Sequence, residues 1–398
     1  MSEVSEPRAA DAASGALALM AQDRPNLRVV EAGAWDRGGP VEVELRGPAH
    51  LLETLSASLP AGVVRTDRRD GLLGLHGTPA DLRLALATAA PALTDHLDAR
   101  LASWGQPPSD LMTPAGTLPT ASRPVILGIL NVTPDSFSDG GANYRPGAHP
   151  ASALAAAERM LIEGADAIDV GGESTRPGAE PVTAEEELAR VVPVIRELAG
   201  AGAVVSVDTS KAVVARAAIE AGAAMVNDVS AGGLDPALID TVAAAEVPYV
   251  LMHMQGTPRT MQHDPTYLDV VADVHHALDA GLELMVERGI ARERLVVDPG
   301  IGFGKRLEHN LALLRELMTL TSLGRPVLVG ASRKRFIGDL TGADDPGDRL
   351  EGSLAVAALA VAGGARLLRV HDVAATVRAV TVAHAVTTRI DGPHDGRH

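Results

Sequence analysis

The 398-residue chain contains no cysteine. That excludes disulfides, thiolate metal sites and a cysteine nucleophile. Aromatic residues make up only 2%, with three Phe, three Tyr and two Trp, so any core must be built from aliphatic side chains. Excess positive charge is also missing. With 35 Lys and Arg against 51 Asp and Glu the formal charge is −16, which argues against a broad nucleic-acid surface but not against a local basic cluster that holds a small anion. No long apolar run is present either. The longest weakly polar stretch, "LAVAALAVAGGA" from Leu354, is too short and too Ala-rich to span a bilayer. The opening "MSEVSEPRAADAASG" lacks the basic start and apolar centre of a secretory signal. A cytoplasmic protein with neither a membrane nor a nucleic-acid partner is expected.

What is present is a rhythm. From Pro124 onward short β-branched runs alternate with Gly- or Asp-containing loops and Ala/Leu/Glu helices. The runs are "PVILGILN" (124–131), "DAIDVGGE" (166–173), "AVVSVDTS" (203–210), "AMVNDVS" (224–230), "PYVLMHM" (248–254), "LVVDPGIG" (295–302), "PVLVGAS" (326–332) and "LLRVHD" (367–372). They are continuous rather than alternating, as strands buried on both faces should be. Eight such units in about 260 residues predict a (β/α)8 TIM barrel over 124–390, with a doubly wound open sheet as the alternative. Residues 1–123 fall outside the rhythm. "VEVELRG" and "GLLGLHG" read as strands and 78–103 as helical, giving a small α/β domain over 27–105 with no recognisable chemistry. Residues 1–26 are expected to be disordered. Residues 106–123, rich in Pro, Gly, Ser and Thr, read as a linker, and 391–398 as a tail.

In a barrel the working residues lie at the C-terminal ends of the strands. Each run ends in polar groups that a core would not tolerate: Asn131; Glu173, Thr175 and Arg176; Asp208 and Thr209; Asn227 and Asp228; His253; Asp298; Arg333, Lys334 and Arg335; Arg369, His371 and Asp372. Basic residues gather after the last two units, where barrels often bind phosphate, and Arg176 could join them. Asp208, Asn227 and Asp298 need partners if buried. Lys334 is one candidate. The other is a flat heterocycle with adjacent N–H groups. Phe137, Phe303 and Phe336 all fall in or near these loops, as aromatics lining a flat ligand would. A calcium loop at "DSFSDG" fails because Phe137 occupies a ligand position. "GIGFGK" has the wrong spacing for a Walker A loop. His253 and His263 lack zincin spacing, so no zinc is assigned.

Together "ILNVTPDSFSDGG", "DVGGESTRPGA", "VDTSK", "VNDVS", "LMHMQGTP", "DPGIGFGK", "GASRKRFIG" and "RVHD" closely resemble the dihydropteroate synthase family, in order and over roughly 124–390. The resemblance implies a TIM barrel that joins 6-hydroxymethyl-7,8-dihydropterin diphosphate to p-aminobenzoate, releasing pyrophosphate, in folate synthesis. It also implies a sulfonamide target and a homodimer. By the same resemblance Asp208, Asn227, Asp298 and Lys334 hold the pterin, flanked by Met252 and Phe303. Asn131, Thr175, Arg176, Arg369 and His371 hold the pyrophosphate, and Asn131 also a Mg2+ ion. Asp135 and Phe137 belong to a first closing loop, and Thr175, Arg176 and Pro177 to a second. Phe137, Thr175, Pro177 and Arg335 line the aminobenzoate pocket. Asp135, Lys334, Arg369 and His371 are the expected catalytic residues. Arg335 departs from the Ser that many members carry after the Lys of "SRK". Two other functions compete: a pterin-dependent methyltransferase domain, which needs no pyrophosphate clamp, and a synthase-like protein that binds without turnover.

Overall fold

A computed structural model of the protein describes residues 26–32, 40–69, 72–89, 91–132, 151–174 and 182–388. The expected C-terminal tail and residues 1–25 of the expected disordered N-terminus lie outside the described residues, as do Asp135, Phe137, Thr175, Arg176 and Pro177. Asn26 is described, and it opens the first strand.

The N-terminal domain is a four-stranded antiparallel sheet of β1 (Asn26–Ala32), β2 (Val41–Arg46), β3 (Val64–Arg69) and β4 (Leu72–Gly77), in the order β1-β2-β4-β3. In β2 buried and half-buried residues alternate, the mark of a sheet covered on one face. Leu27, Val29, Val43, Leu45, Leu73 and Leu75 pack with Leu82, Leu86, Leu97 and Leu101 of the helices Pro79–Ala89 and Ala92–Ser103. The sequence shows β2, β4 and the helical 78–103. It hides β1 and β3, whose "NLRVVEA" and "VRTDRR" carry too many charges to read as strands until a partner covers them.

This domain docks on the outer layer of the barrel. Arg28, Arg46 and Arg100 meet Asp269, Asp273 and Asp279 on or beside the helix Val270–Glu287. Arg100 also donates to the Ser322 carbonyl at 3.3 Å. His275 is fully buried there, with its Nε2 3.0 Å from Ser322 Oγ. Burial, with Arg100 and Arg28 nearby, holds its pKa well below the usual value.

The expected linker is a correction. Within it β5 (Leu111–Thr113) and β6 (Gly116–Leu118) form a hairpin. Leu111 and Leu118 are 0% and 2% exposed, packed against Val125, Leu127, Ala167, Met225, Val250, Val296, Leu328 and Leu367 at the bottom of the barrel. Pro and Gly mark a turn as well as a linker, and the two Leu that decide between them find their partners only in the folded barrel. Leu111→Ala should cost about 3 kcal/mol through the cavity it leaves. A urea midpoint unchanged from wild type would refute the role as a plug.

The barrel strands are β7 (Val125–Asn131), β8 (Ala167–Gly171), β9 (Val205–Asp208), β10 (Met225–Asp228), β11 (Tyr249–Met252), β12 (Leu295–Asp298), β13 (Leu328–Val329) and β14 (Leu367–Val370). All pair in parallel, in the order β12-β11-β10-β9-β8-β7-β14-β13. A parallel bridge between Val297 and Val327 closes the ring, which makes it a barrel and not an open sheet. Among the described residues no helix is long and apolar enough to cross a membrane.

Candidate active site

Strand side chains alternate with a period of two, and this builds the site. The apolar layer over the plug holds Leu127, Ala167, Met225, Val250, Val296 and Leu367. The next inward residue on each of these strands is two positions on: Ile129, Asp169, Asn227, Met252, Asp298 and Arg369. On β9 the residues of that face are Ser206 and Asp208. One step along the strands therefore turns the interior from apolar to charged.

The charges are organised around Arg369. Its Nε donates to Asp169 Oδ2 at 2.5 Å and its Nη2 to Asp208 Oδ2 at 2.6 Å. Asn227 Nδ2 donates to the same Asp169 oxygen at 3.1 Å. Burial pushes Asp208 up to about 7; Arg369 opposes this, while Asp169, Glu187 and Asp228 add to it. Burial disfavours the Arg369 charge too, but Asp169 and Asp208 outweigh it and raise its pKa above the usual guanidinium value. The cation stays charged and the acid is poised to titrate.

Across the mouth, Asp298 accepts from the Gly300 backbone N–H at 2.7 Å. Burial raises its pKa, against Lys334. Lys334 donates to the Ile301 carbonyl, and its Nζ lies 4.3 Å from the centre of the Phe303 ring. Burial lowers it to about 8, against Asp298. The loop carrying Ile301 and Phe303 is held from below by Lys305. Its Nζ reaches His253 Nδ1 at 3.0 Å, the His253 carbonyl at 3.2 Å and the Phe303 carbonyl at 2.9 Å. Burial lowers Lys305 to about 7 and, with Lys305 adjacent, holds His253 well below its usual value. Gly300 is required in this loop: its φ is +66°, and a Cβ would lie 2.0 Å from the His253 carbonyl oxygen.

His371 and Asn131 complete the mouth. Ser332 Oγ accepts from the His371 backbone N–H at 3.2 Å and lies 3.1 Å from its Nδ1. The hydroxyl therefore fixes the His371 ring through Nδ1 and leaves Nε2 as the ring's other polar atom. Asn131 Oδ1 and Asp208 Oδ2 border the space over Gly171, where a Cβ would stand 3.6 Å from each. No group of three or more His, Asp or Glu among the described residues could hold a metal ion. Asn131 offers one hard oxygen, which fits Mg2+ only if substrate phosphates and waters supply the rest, as that ion commonly accepts.

Several expectations need correction. Arg333, Lys334 and Arg335 do not act as one basic cluster. Arg333 is bound by Asp372 at 2.9 and 2.5 Å, while the Arg335 side chain is 89% exposed and 3.6 Å from Asp339. The Arg335 side chain is therefore not brought together with the others. Phe336 is buried in the barrel's aliphatic core rather than at the mouth. Asp228 is spent on local structure, accepting from Ser230 N and Oγ, Gly232 N and Tyr249 OH. Glu173, with Glu187, pairs with Lys211. Asp208, Asn227, Asp298, Lys334, Met252, Phe303, Asn131, Arg369 and His371 do surround one mouth. Residue-type reading of strand ends missed Asp169, Ser332 and Lys305. Asp169 sits inside a strand, two before Gly171, and only strict alternation would have turned it inward.

Residues 127–371 match the pterin binding enzyme family. The chain is similar to dihydropteroate synthase from Neisseria meningitidis serogroup B, 48% identical over 268 residues, which are 66% of this chain and 93% of that protein. It is also similar to the crystal structure of Yersinia pestis dihydropteroate synthase with a sulfonamide drug complex, at a TM-score of 0.65 and 46% identity, covering 70% of this chain and 98% of that one. The Xanthomonas albilineans enzyme in complex with 7,8-dihydropteroate aligns at a TM-score of 0.60 and 48% identity, over 67% and 95%. The polar layer, the barrel that carries it and these relatives agree: the chain belongs to the dihydropteroate synthase family of pterin binding enzymes.

Proposed function

We propose that this protein is a dihydropteroate synthase whose mouth binds 6-hydroxymethyl-7,8-dihydropterin diphosphate and p-aminobenzoate, with Arg369 and His371 on the diphosphate. The observation that carries this is the half-buried Arg369 bridging Asp169 and Asp208: it sets a permanent cation beside acids suited to a heterocycle's N–H edge. Asp208 and Asp298 accept from that edge, and the Asn227 amide donates to it and accepts from it. Lys334 donates to its carbonyl side, and Phe303 and Met252 cover its faces. Asp135, Phe137, Thr175, Arg176, Pro177 and Arg335 enter by family likeness, as parts of the closing loops and the aminobenzoate pocket.

The aryl amine attacks the pterin methylene carbon as its free base. A C–N bond forms, the C–O bond to the diphosphate breaks, and the amine proton passes to solvent. Arg369 and the His371 ring hold the charge that grows on the leaving oxygens. No strong base is needed for an aryl amine that attacks as its free base. Magnesium, held by Asn131 and the diphosphate, would neutralise further leaving-group charge. A methyltransferase domain would have no use for the Arg369–His371 pair, which favours the synthase. A homodimer in the cytoplasm belongs to the same proposal. Leu359, Val382 and Val386 stand exposed on the adjacent helices Leu350–Ala362 and Val373–Thr387, an apolar face suited to a second copy.

The test is pyrophosphate release by purified protein with pterin diphosphate, p-aminobenzoate and Mg2+. Release that ignores aminobenzoate, or no release, sinks the proposal. For the active enzyme kcat/KM should be bell-shaped in pH. It should rise through about 7 as Asp208 ionises and fall through about 8 as Lys334 loses its proton, since kcat/KM reports groups of the free enzyme. A profile flat from about pH 6 to 9 would contradict both assignments.

A further inference from the structure

We infer that Asp169 is a positioning residue, the pivot on which Arg369 swings, and that Arg369 exchanges Asp208 for the substrate diphosphate while its Nε stays on Asp169. This rests on the synthase reading.

The two carboxylates that share Arg369 are not equivalent. Asp169 is fully buried: its Oδ2 already takes Arg369 Nε and Asn227 Nδ2, and its Oδ1 has no hydrogen-bond partner among the described residues. If Arg369 left it, a buried carboxylate would lose its one charged donor among the described residues, a costly state. Asp208 is 8% exposed, at the strand end nearest the mouth, and takes the guanidinium through a single Nη2 contact at 2.6 Å. It can give up that contact, because the N–H groups of an arriving pterin replace it.

Exchange also improves Asp208 as an acceptor. A pterin that takes both of its oxygens has to share Oδ2 with the guanidinium for as long as Arg369 stays on it. A guanidinium has five N–H donors in a rigid fork. Rotation about an anchored Nε moves both terminal nitrogens together, so one motion frees Asp208 and turns the fork toward phosphate. Pterin and diphosphate then help each other to bind through one residue that each displaces or attracts. The same Asp169 oxygen holds the Asn227 amide, so the pivot and the pterin-edge amide share one fixed point.

Two measurements decide this. In the wild-type protein, calorimetric binding of 6-hydroxymethylpterin should tighten about 10-fold when inorganic pyrophosphate and magnesium chloride are present. Equal or weaker binding in their presence overturns the exchange. In Asp169→Asn, assayed below its melting temperature, kcat should fall about 100-fold through a misplaced fork, while 6-hydroxymethylpterin alone binds within about 3-fold of wild type. Pterin affinity falling in step with kcat would make Asp169 a strut and overturn the pivot, as would an unchanged kcat. The wild-type measurement needs no variant to fold. It also stands apart from turnover: an inactive wild type sinks the synthase reading, whereas uncoupled ligands sink this inference alone.

Discussion

Arg369→Ala is expected to lower kcat roughly 1,000-fold at saturating substrates, the scale seen when a preorganised donor to a developing oxyanion is removed. The loss should sit in kcat, because charge on the departing pyrophosphate grows as the C–O bond breaks. The variant should also be less stable. Arg369 neutralises two buried acids, Asp169 and Asp208, and breaking a buried pair typically costs about 3–5 kcal/mol. Arg369→Lys separates the two effects. A Lys keeps the charge and much of the stability, but as a point charge it cannot span both carboxylates and then reach phosphate as a fork. Its kcat should stay low while its melting temperature recovers. Near-wild-type kcat in either variant, with both substrates saturating, would remove Arg369 from the reaction.

Asp208→Asn should weaken pterin binding about 100-fold, the equivalent of about 3 kcal/mol for hydrogen bonds to a charged acceptor. Its effect on stability runs the other way with pH. The folded pKa of Asp208, about 7, lies above its unfolded value of about 4. Its contribution to stability is therefore complete below about pH 4 and is lost as pH rises to about 7. The Asn variant carries no such loss and should gain on the wild type across that window. Chemical denaturation at two pH values, one at each end, reads this directly. A stability difference that does not change with pH would mean that Asp208 titrates normally. A site residue that costs stability where it works is the usual trade between function and fold.

The features legible in the chain were those that repeat or that end a strand. Asp208, Asn227, Asp298 and Arg369 could be named because each stops an apolar run. Phe336 was misread because its loop becomes the helix Arg335–Thr341, whose apolar side turns into the core. The three basic residues at 333–335 could not be sorted. Only the fold gives Asp372 to Arg333 and Ile301 and Phe303 to Lys334. The docking of the N-terminal domain was equally hidden, since Arg100 and Asp279 stand 179 residues apart in sequence.

By itself the sequence determined the barrel, the family and the strand ends where Asn131, Asp208, Asn227, Asp298 and Arg369 stand. Continuous apolar runs leave few ways to bury two faces, and polar groups at their ends have only one place to go. The tertiary structure alone decided which of those groups are partners. Asp169 meets Arg369 across 200 residues of chain because strands β8 and β14 both flank β7, and it points inward because the closed ring sets which half of each strand's alternation faces the axis. Local patterns carry burial; they do not carry the register that turns three charges into one clamp.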